Sequence, residues 1–205
     1  MTGLGKQAKT LTEVQVRTLI RYVESETRFP KRNVVIVLLS FRAGLRAKEI
    51  AGVTWSMLTD TEGMLTDTLA LQNTASKGKK GGRNIPLHPE LKTALGALME
   101  DERERGRVTP EGFVVTLAKG NLDLPSRAAS ISFLFNKDWF KELGFIGSSS
   151  HSGRRTFITR AAKLVSSVGG SMRDVQVLAG HSSLVMTQRY VDQDAEAQRK
   201  LVEKM

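Results

Sequence analysis

The spacing of apolar positions predicts a mostly helical chain with one interruption. Behind a capping Thr12, the residues Val16, Leu19, Ile20 and Val23 recur at helical intervals, which predicts a first helix to about residue 25. Pro30 opens a second helix whose buried face is Val34, Val37, Leu38 and Phe41, and Gly44 suits a left-handed stop to it. A short third helix follows over 46–51. Between 53 and 87 the period shortens: Thr66, Thr68, Leu69 and Leu71 read as a strand, 76–82 as a glycine–lysine turn and 83–87 as the returning strand. Pro89 then starts a charged amphipathic helix to about 106, and a further helix over 128–143 turns Ile131, Leu134, Phe135 and Trp139 inward. The remainder reads as helices over about 150–167, 172–180, 183–191 and 194–203, separated by Gly169-Gly170 and Gly180. The predicted class is α+β, mostly α with a small antiparallel β-sheet inserted after the third helix. Residues 1–10 are small, polar and basic and read as a flexible arm, leaving 11–205 as one domain without internal repeats.

Composition narrows the function classes. With 40% hydrophobic and 25% charged residues, the 205-residue chain is expected to be globular. Its longest apolar run, 34–39, falls far short of the roughly 20 residues that span a bilayer, and the first thirty residues hold no signal-peptide core. No membrane partner and a cytoplasmic location are therefore expected. The absence of cysteine removes disulfides, thiolate metal sites and a cysteine nucleophile. Only His88, His151 and His181 are present, widely separated, so neither a metal centre nor a cofactor is expected.

Charge says more. Thirty-one basic residues against twenty-one acidic ones give +10, with an isoelectric point near 10.1. A domain this basic carries the electrostatic footprint of a nucleic-acid partner. The positive charge is also clustered. No acid occurs from 143 to 173, where Arg154, Arg155, Arg160, Lys163 and Arg173 lie, and the turn region 77–83 holds Lys77, Lys79, Lys80 and Arg83. Residues 100–107, by contrast, mix signs as a solvated helix face does.

Three segments carry candidate chemistry. In Ser150-His151-Ser152-Gly153-Arg154-Arg155, the serines 148–150 offer a helix cap and the i, i+3 spacing puts His151 and Arg154 on one face. Cations at a helix start oppose the macrodipole by about 0.3–1 kcal/mol each, a sign that a bound phosphate reverses. In Gly44-Leu45-Arg46-Ala47-Lys48-Glu49, a glycine stop delivers Arg46 to the next helix, with Glu49 placed to orient its guanidinium. In Ala179-Gly180-His181-Ser182-Ser183, a histidine follows a helix stop, and Tyr190 comes nine residues later. Each segment alone reads equally well as an ordinary surface helix, a helix-end histidine or a core tyrosine. Together they supply arginines, histidines, a turn lysine and a tyrosine, a set able to neutralise a phosphoryl transition state without a metal.

In this order and at these separations the motifs resemble the catalytic domain of the tyrosine recombinases, the phage-integrase family. The match is carried by Arg46 with Glu49, a lysine in a β-hairpin, His151 with Arg154, Gly180-His181 and Tyr190, and covers about residues 11–195. The resemblance implies a site-specific DNA recombinase that cleaves and rejoins DNA through a 3′-phosphotyrosyl intermediate, without metal or ATP. It implies that Arg46 and Arg154 clamp the scissile phosphate, Tyr190 attacks phosphorus, His151 assists proton removal and His181 hydrogen-bonds the phosphate. The hairpin lysine would protonate the leaving 5′-oxygen; Lys77 is the first choice and Lys79 its rival. Lys79, Lys80, Arg83 and Arg155 are expected along the DNA backbone. The partners implied are double-stranded DNA and a homo-tetramer on two sites, with a monomer in the absence of DNA, in a bacterial or phage-type cytoplasm.

Further expectations concern geometry and departures. On one continuous helix, His181 and Tyr190 would lie roughly 13 Å apart along the axis and could not meet one phosphate. The breaks at Gly180, Ser182 and Ser183 therefore predict a separate, movable tyrosine element, positioned by DNA or by a neighbouring protomer. A C-terminal helix docking onto the next subunit is the family's use for a tail such as 194–203. Gly153 stands where the family usually has leucine and is expected to loosen the turn between His151 and Arg154. The ten residues before the domain leave no room for the family's helical core-binding domain, either because an upstream part was trimmed or as in small members such as fimbrial-switch invertases. Two alternatives remain at this level: a type IB topoisomerase, and a non-catalytic DNA-binding regulator on the same fold.

Overall fold

A computed structural model describes residues 7–73, 75, 82–116, 125–190, 199, 202, 203 and 205. The chain divides into two compact units, residues 1–157 and 158–205. The second unit draws on a basic, apolar-poor stretch, and among the described residues its buried hydrophobic ones are Ile158, Val165, Val175 and Ala179.

In the first unit, α1 (Glu13–Ser25) is capped as predicted. The Thr12 hydroxyl accepts from the Gln15 N–H and the Gln15 side chain accepts from the Thr12 N–H, a reciprocal capping box. Helix α2 (Pro30–Phe41) packs on both α1 and α4 (Pro89–Glu104). Four positions were expected to be buried, yet Asn33 and every residue from Val35 to Phe41 are buried, and Val34 is only half-buried. A helix apolar all round is a core helix rather than an amphipathic one, and the run of aliphatics is the cause. Gly44 stops the chain at φ +67, and Leu45 leads into α3 (Ala47–Ala51).

Strands β1 (Thr68–Leu71) and β2 (Arg83–Pro86) pair antiparallel, with Leu71 opposite Arg83 and Leu69 opposite Ile85. They match the two predicted strands closely. Between them, residues 74 and 76–81, with Lys77, Lys79 and Lys80, lie outside the described residues. The helix expected over 128–143 runs as α5 (Ala128–Phe133), a π-helical stretch (Leu134–Trp139) and α6 (Phe140–Glu142). The wider turn shifts the inward face: Phe135, Trp139 and Phe140 are buried, while Leu134 is half-buried. Phe135 meets Trp139 edge-on at 5.0 Å between ring centroids and Phe140 at 5.5 Å. Residues 7–10 have no regular structure, but the Lys9 N–H donates to the Gly147 carbonyl and the Leu11 N–H to Thr156 Oγ1.

Helix α7 (Ser152–Leu164) begins in the first unit. In the second unit a 3₁₀ turn (Val165–Val168) follows, and Gly169 at φ +75 closes it. Helix α8 (Met172–Ala179) starts at Ser171, whose N–H donates to Asp174 at 2.7 Å, and stops at Gly180 in the left-handed region. Helix α9 (Leu184–Gln188) is shorter than the helix expected over 183–191. The helix expected over 194–203 falls almost wholly outside the described residues. Among the described residues, no helix is long and apolar enough to cross a membrane.

Candidate active site

Arg46, Arg83 and Arg154 of the first unit gather around one carboxylate. Glu49 sits in α3, 1% exposed, and its position two residues past the helix start lets it reach back along the turn. Its Oε2 accepts from the Arg46 N–H at 2.8 Å and its Oε1 from Arg46 Nη1 at 3.0 Å. Arg83, inward on β2, donates Nη1 to Oε1 at 3.0 Å and Nη2 to Oε2 at 3.4 Å. Arg154, in the first turn of α7, places Nη1 3.9 Å from Oε2 and donates it to the Gly44 carbonyl at 2.8 Å. Three guanidiniums and one carboxylate leave this cluster with a formal excess of positive charge. Burial pushes the Glu49 carboxyl up, but the hydrogen bond and charge of Arg83, with the Arg46 N–H and charge, outweigh it and hold Glu49 below its ordinary value.

Arg46 and Arg154 differ in access. The Arg46 side chain is 29% exposed and that of Arg154 4% exposed. The approach of α7 to the Gly44 turn explains the second value. Gly44 carries a positive φ, and a Cβ there would lie 2.4 Å from the Phe157 ring. A glycine is needed on both counts. Gly153 does not loosen the turn, contrary to expectation. It is buried against α2, where a Cβ would stand 2.1 Å from Ser40 Oγ. The missing side chain lets α7 lie close on α2 and brings Arg154 inward.

His151 is exposed and occupies the cap of α7 itself, its carbonyl accepting from the Arg155 N–H at 2.9 Å. The serines expected to cap brace the turn instead. Ser149 Oγ accepts from the His151 N–H, Ser152 Oγ accepts from the Ser149 N–H, and the Ser150 N–H donates to Asn136 Oδ1. Arg155 is half-buried and hydrogen-bonds to Gln7.

Arg83 requires a correction. Expected along the DNA backbone, its side chain is 4% exposed and engaged with Glu49. Alternation along β2 puts Arg83 on the same face as Ile85, so the period-2 pattern carried the signal that charge counting overlooked.

In the second unit, His181 follows the Gly180 stop and is 7% exposed. Its N–H donates to the Gln176 carbonyl, and its own carbonyl accepts from Gln176 Nε2 at 3.0 Å. His181 Nδ1 lies 3.0 Å from the hydroxyl of Thr187, a fully buried residue of α9 that sequence reasoning did not single out. Tyr190, just past α9 and half-buried, stacks on His181 with ring centroids 5.3 Å apart and planes 24° from parallel. Its carbonyl accepts from Thr159 Oγ1 at 3.3 Å. The break between α8 and α9 thus lets the two rings meet. The other tyrosine, Tyr22, packs at the edge of the core, where burial first and then nearby carboxylates push its phenol up.

Comparisons with known proteins bear on the family and the fold. The tyrosine recombinase XerC of Bacillus pumilus is 26% identical over 208 residues, covering 98% of this chain and 63% of that protein. The tyrosine recombinase XerA of Pyrococcus furiosus is 28% identical over 198 residues, covering 96% of this chain and 61% of that protein. The chain therefore spans less than two thirds of the length of these relatives. Among solved structures, the integrase of transposon Tn1549 in complex with a circular intermediate DNA superposes with a TM-score of 0.75 at 21% identity, covering all of this chain and 68% of that one. A crystal structure of XerA recombinase gives 0.70 at 21% identity over 95% of this chain and 64% of the other. These likenesses show the same mostly helical fold with its small antiparallel sheet. The phage integrase family model matches residues 9–197, and the chain belongs to that family.

Proposed function

We propose that this chain is the catalytic part of a site-specific DNA recombinase that breaks and rejoins DNA through Tyr190. The observation that carries the reading is the convergence of Arg46 and Arg154 on Glu49, at 3.0 and 3.9 Å, from positions far apart in the sequence. Two planar, permanently charged forks held by one buried carboxylate suit the non-bridging oxygens of a phosphodiester. Family membership and the recombinase names of the relatives support the same reading. The DNA in the Tn1549 integrase complex supports duplex DNA as the partner.

The chemistry is a transesterification. Tyr190 Oη attacks phosphorus, the bond from phosphorus to the 5′-oxygen breaks, and a 3′-phosphotyrosyl bond forms. A phenol needs a proton acceptor to attack at neutral pH, the role given to His151. Arg46 and Arg154 stabilise the charge that develops on the equatorial oxygens, and His181 hydrogen-bonds the phosphate. Lys77, or Lys79 in its place, protonates the departing 5′-oxygen. A 5′-hydroxyl then attacks the phosphotyrosyl bond in reverse, and because that bond conserves the phosphodiester's energy the exchange needs no nucleotide hydrolysis. Recombination between two duplexes further requires four copies of the active chain, a homo-tetramer acting in the cytoplasm.

The test uses a library of nicked duplexes of randomised sequence. The full chain forms a denaturant-resistant protein–DNA adduct with some members, and Tyr190→Phe forms none. Adduct absent under every condition overturns the reading in favour of a DNA-binding regulator. Adduct with supercoil relaxation but no junction between two selected sites moves it to a topoisomerase.

A further inference from the structure

Arg83 has no part in the chemistry above, yet its side chain, first read as a DNA contact, is only 4% exposed. An arginine on a two-stranded ribbon ordinarily keeps its head in water. This one points inward beside Ile85, and its guanidinium reaches both oxygens of Glu49. It shares Oε1 with Arg46, each donating at 3.0 Å. We propose that Arg83 is a positioning residue: it fixes the Glu49 carboxylate and, through it, sets Arg46 and Arg154, while tying that carboxylate to β2. The proposal rests on the recombinase reading given above.

Three observations support a positional role over a merely structural one. Buried ion pairs are weak sources of stability, and an apolar replacement of similar volume is often neutral, so stability alone does not account for a guanidinium here. The pairing also reads out strand register. Arg83 stands opposite Leu71, and a slip of one residue would turn it to the other face of the ribbon and away from Glu49. The register of the hairpin is thereby linked to the orientation of the arginine clamp. Finally, burial drives Glu49 toward protonation and Arg83 is foremost among the groups opposing it. A protonated Glu49 would hold the two clamp arginines less firmly, so loss of Arg83 should appear as altered pH dependence.

The experiment measures adduct formation by the full chain on the randomised nicked duplexes from about pH 5 to about pH 9, with duplex affinity measured in parallel. Arg83→Met should form adduct at least about tenfold more slowly at neutral pH, with affinity within about twofold of wild type and the acid limb moved to higher pH. Arg83→Lys, which keeps the charge but not the two-oxygen grip, should recover part of the rate and part of the shift. In a Glu49→Gln background, Arg83→Met should add no further pH shift. A wild-type rate and profile in Arg83→Met, or a slower rate with an unmoved acid limb, overturns the proposal. If Arg83→Met does not fold, Arg83→Lys decides: a wild-type acid limb in that variant overturns it equally. Wild-type protein that forms no adduct removes the recombinase reading and this role together. Wild-type adduct matched by Arg83→Met removes the role of Arg83 alone.

Discussion

The imidazole of His181 lies stacked on the phenol ring of Tyr190, 5.3 Å between centroids, and is anchored from below by the buried hydroxyl of Thr187 at 3.0 Å. The proposed nucleophile and the proposed phosphate-binding histidine are thus brought together by the short helix α9, while Gln176 of α8 holds the histidine's backbone. A phenylalanine keeps the stack and loses only the hydroxyl. Tyr190→Phe is therefore expected to leave the thermal midpoint within about 2 °C of wild type while abolishing covalent adduct. Calorimetry and a denaturing gel check the two halves separately.

Thr187→Val keeps the shape of the side chain and removes its hydroxyl. His181 then loses its Nδ1 partner in a buried setting, which should lower stability by about 1–3 kcal/mol. Adduct formation should slow as the ring loses its fixed orientation. Urea denaturation gives the first quantity and single-turnover cleavage the second; an unchanged rate would show that Thr187 does not orient the histidine.

Gly153→Ala inserts a methyl group 2.1 Å from Ser40 Oγ, and separating α7 from α2 should cost about 1–3 kcal/mol. Among the described residues Ser40 Oγ has no hydrogen-bond partner, so Ser40→Gly removes both the obstacle and an unsatisfied hydroxyl. The double variant should be more stable than Gly153→Ala alone, a rescue that denaturant midpoints will show directly.

Glu49 sets an acid dependence of folding. Its carboxyl is held below the ordinary value of 4.5, so the native state binds that proton less readily than the unfolded chain. The resulting stabilisation is complete above the ordinary value and disappears as pH falls through the lower folded one. Wild type should lose stability over that interval more steeply than Glu49→Gln, measured as urea midpoints in a pH series.

Duplex binding should weaken steeply with salt, as expected for a chain of net charge +10. Arg155→Ala should reduce the slope of log K against log salt by about 1. Arg83→Met should leave that slope unchanged, because a buried guanidinium paired with Glu49 releases no counterion on binding. Fluorescence anisotropy with a random-sequence duplex at several salt concentrations distinguishes the two.

Much of this molecule is written in local patterns. Periodicity and capping chemistry placed α1, α2, α4 and the two strands, because Thr12, Pro30, Pro89 and the 3.6- and 2-residue spacings act over a few neighbouring residues. The same short-range logic delivered Arg46 with Glu49, His151 with Arg154, and Gly180 with His181. Other features depend on residues distant in the chain. Whether α2 is a surface or a core helix depended on α1 and α4 covering both its sides. Whether Gly153 loosens or tightens its turn depended on Ser40 lying opposite, and whether Arg83 faces DNA or Glu49 depended on Glu49 of α3 coming within reach of β2. Local sequence determines φ, ψ and period, whereas burial and the pairing of charges are set by whichever surfaces long-range packing brings together, so the candidate residues were legible in the sequence and their partners became visible only in the fold.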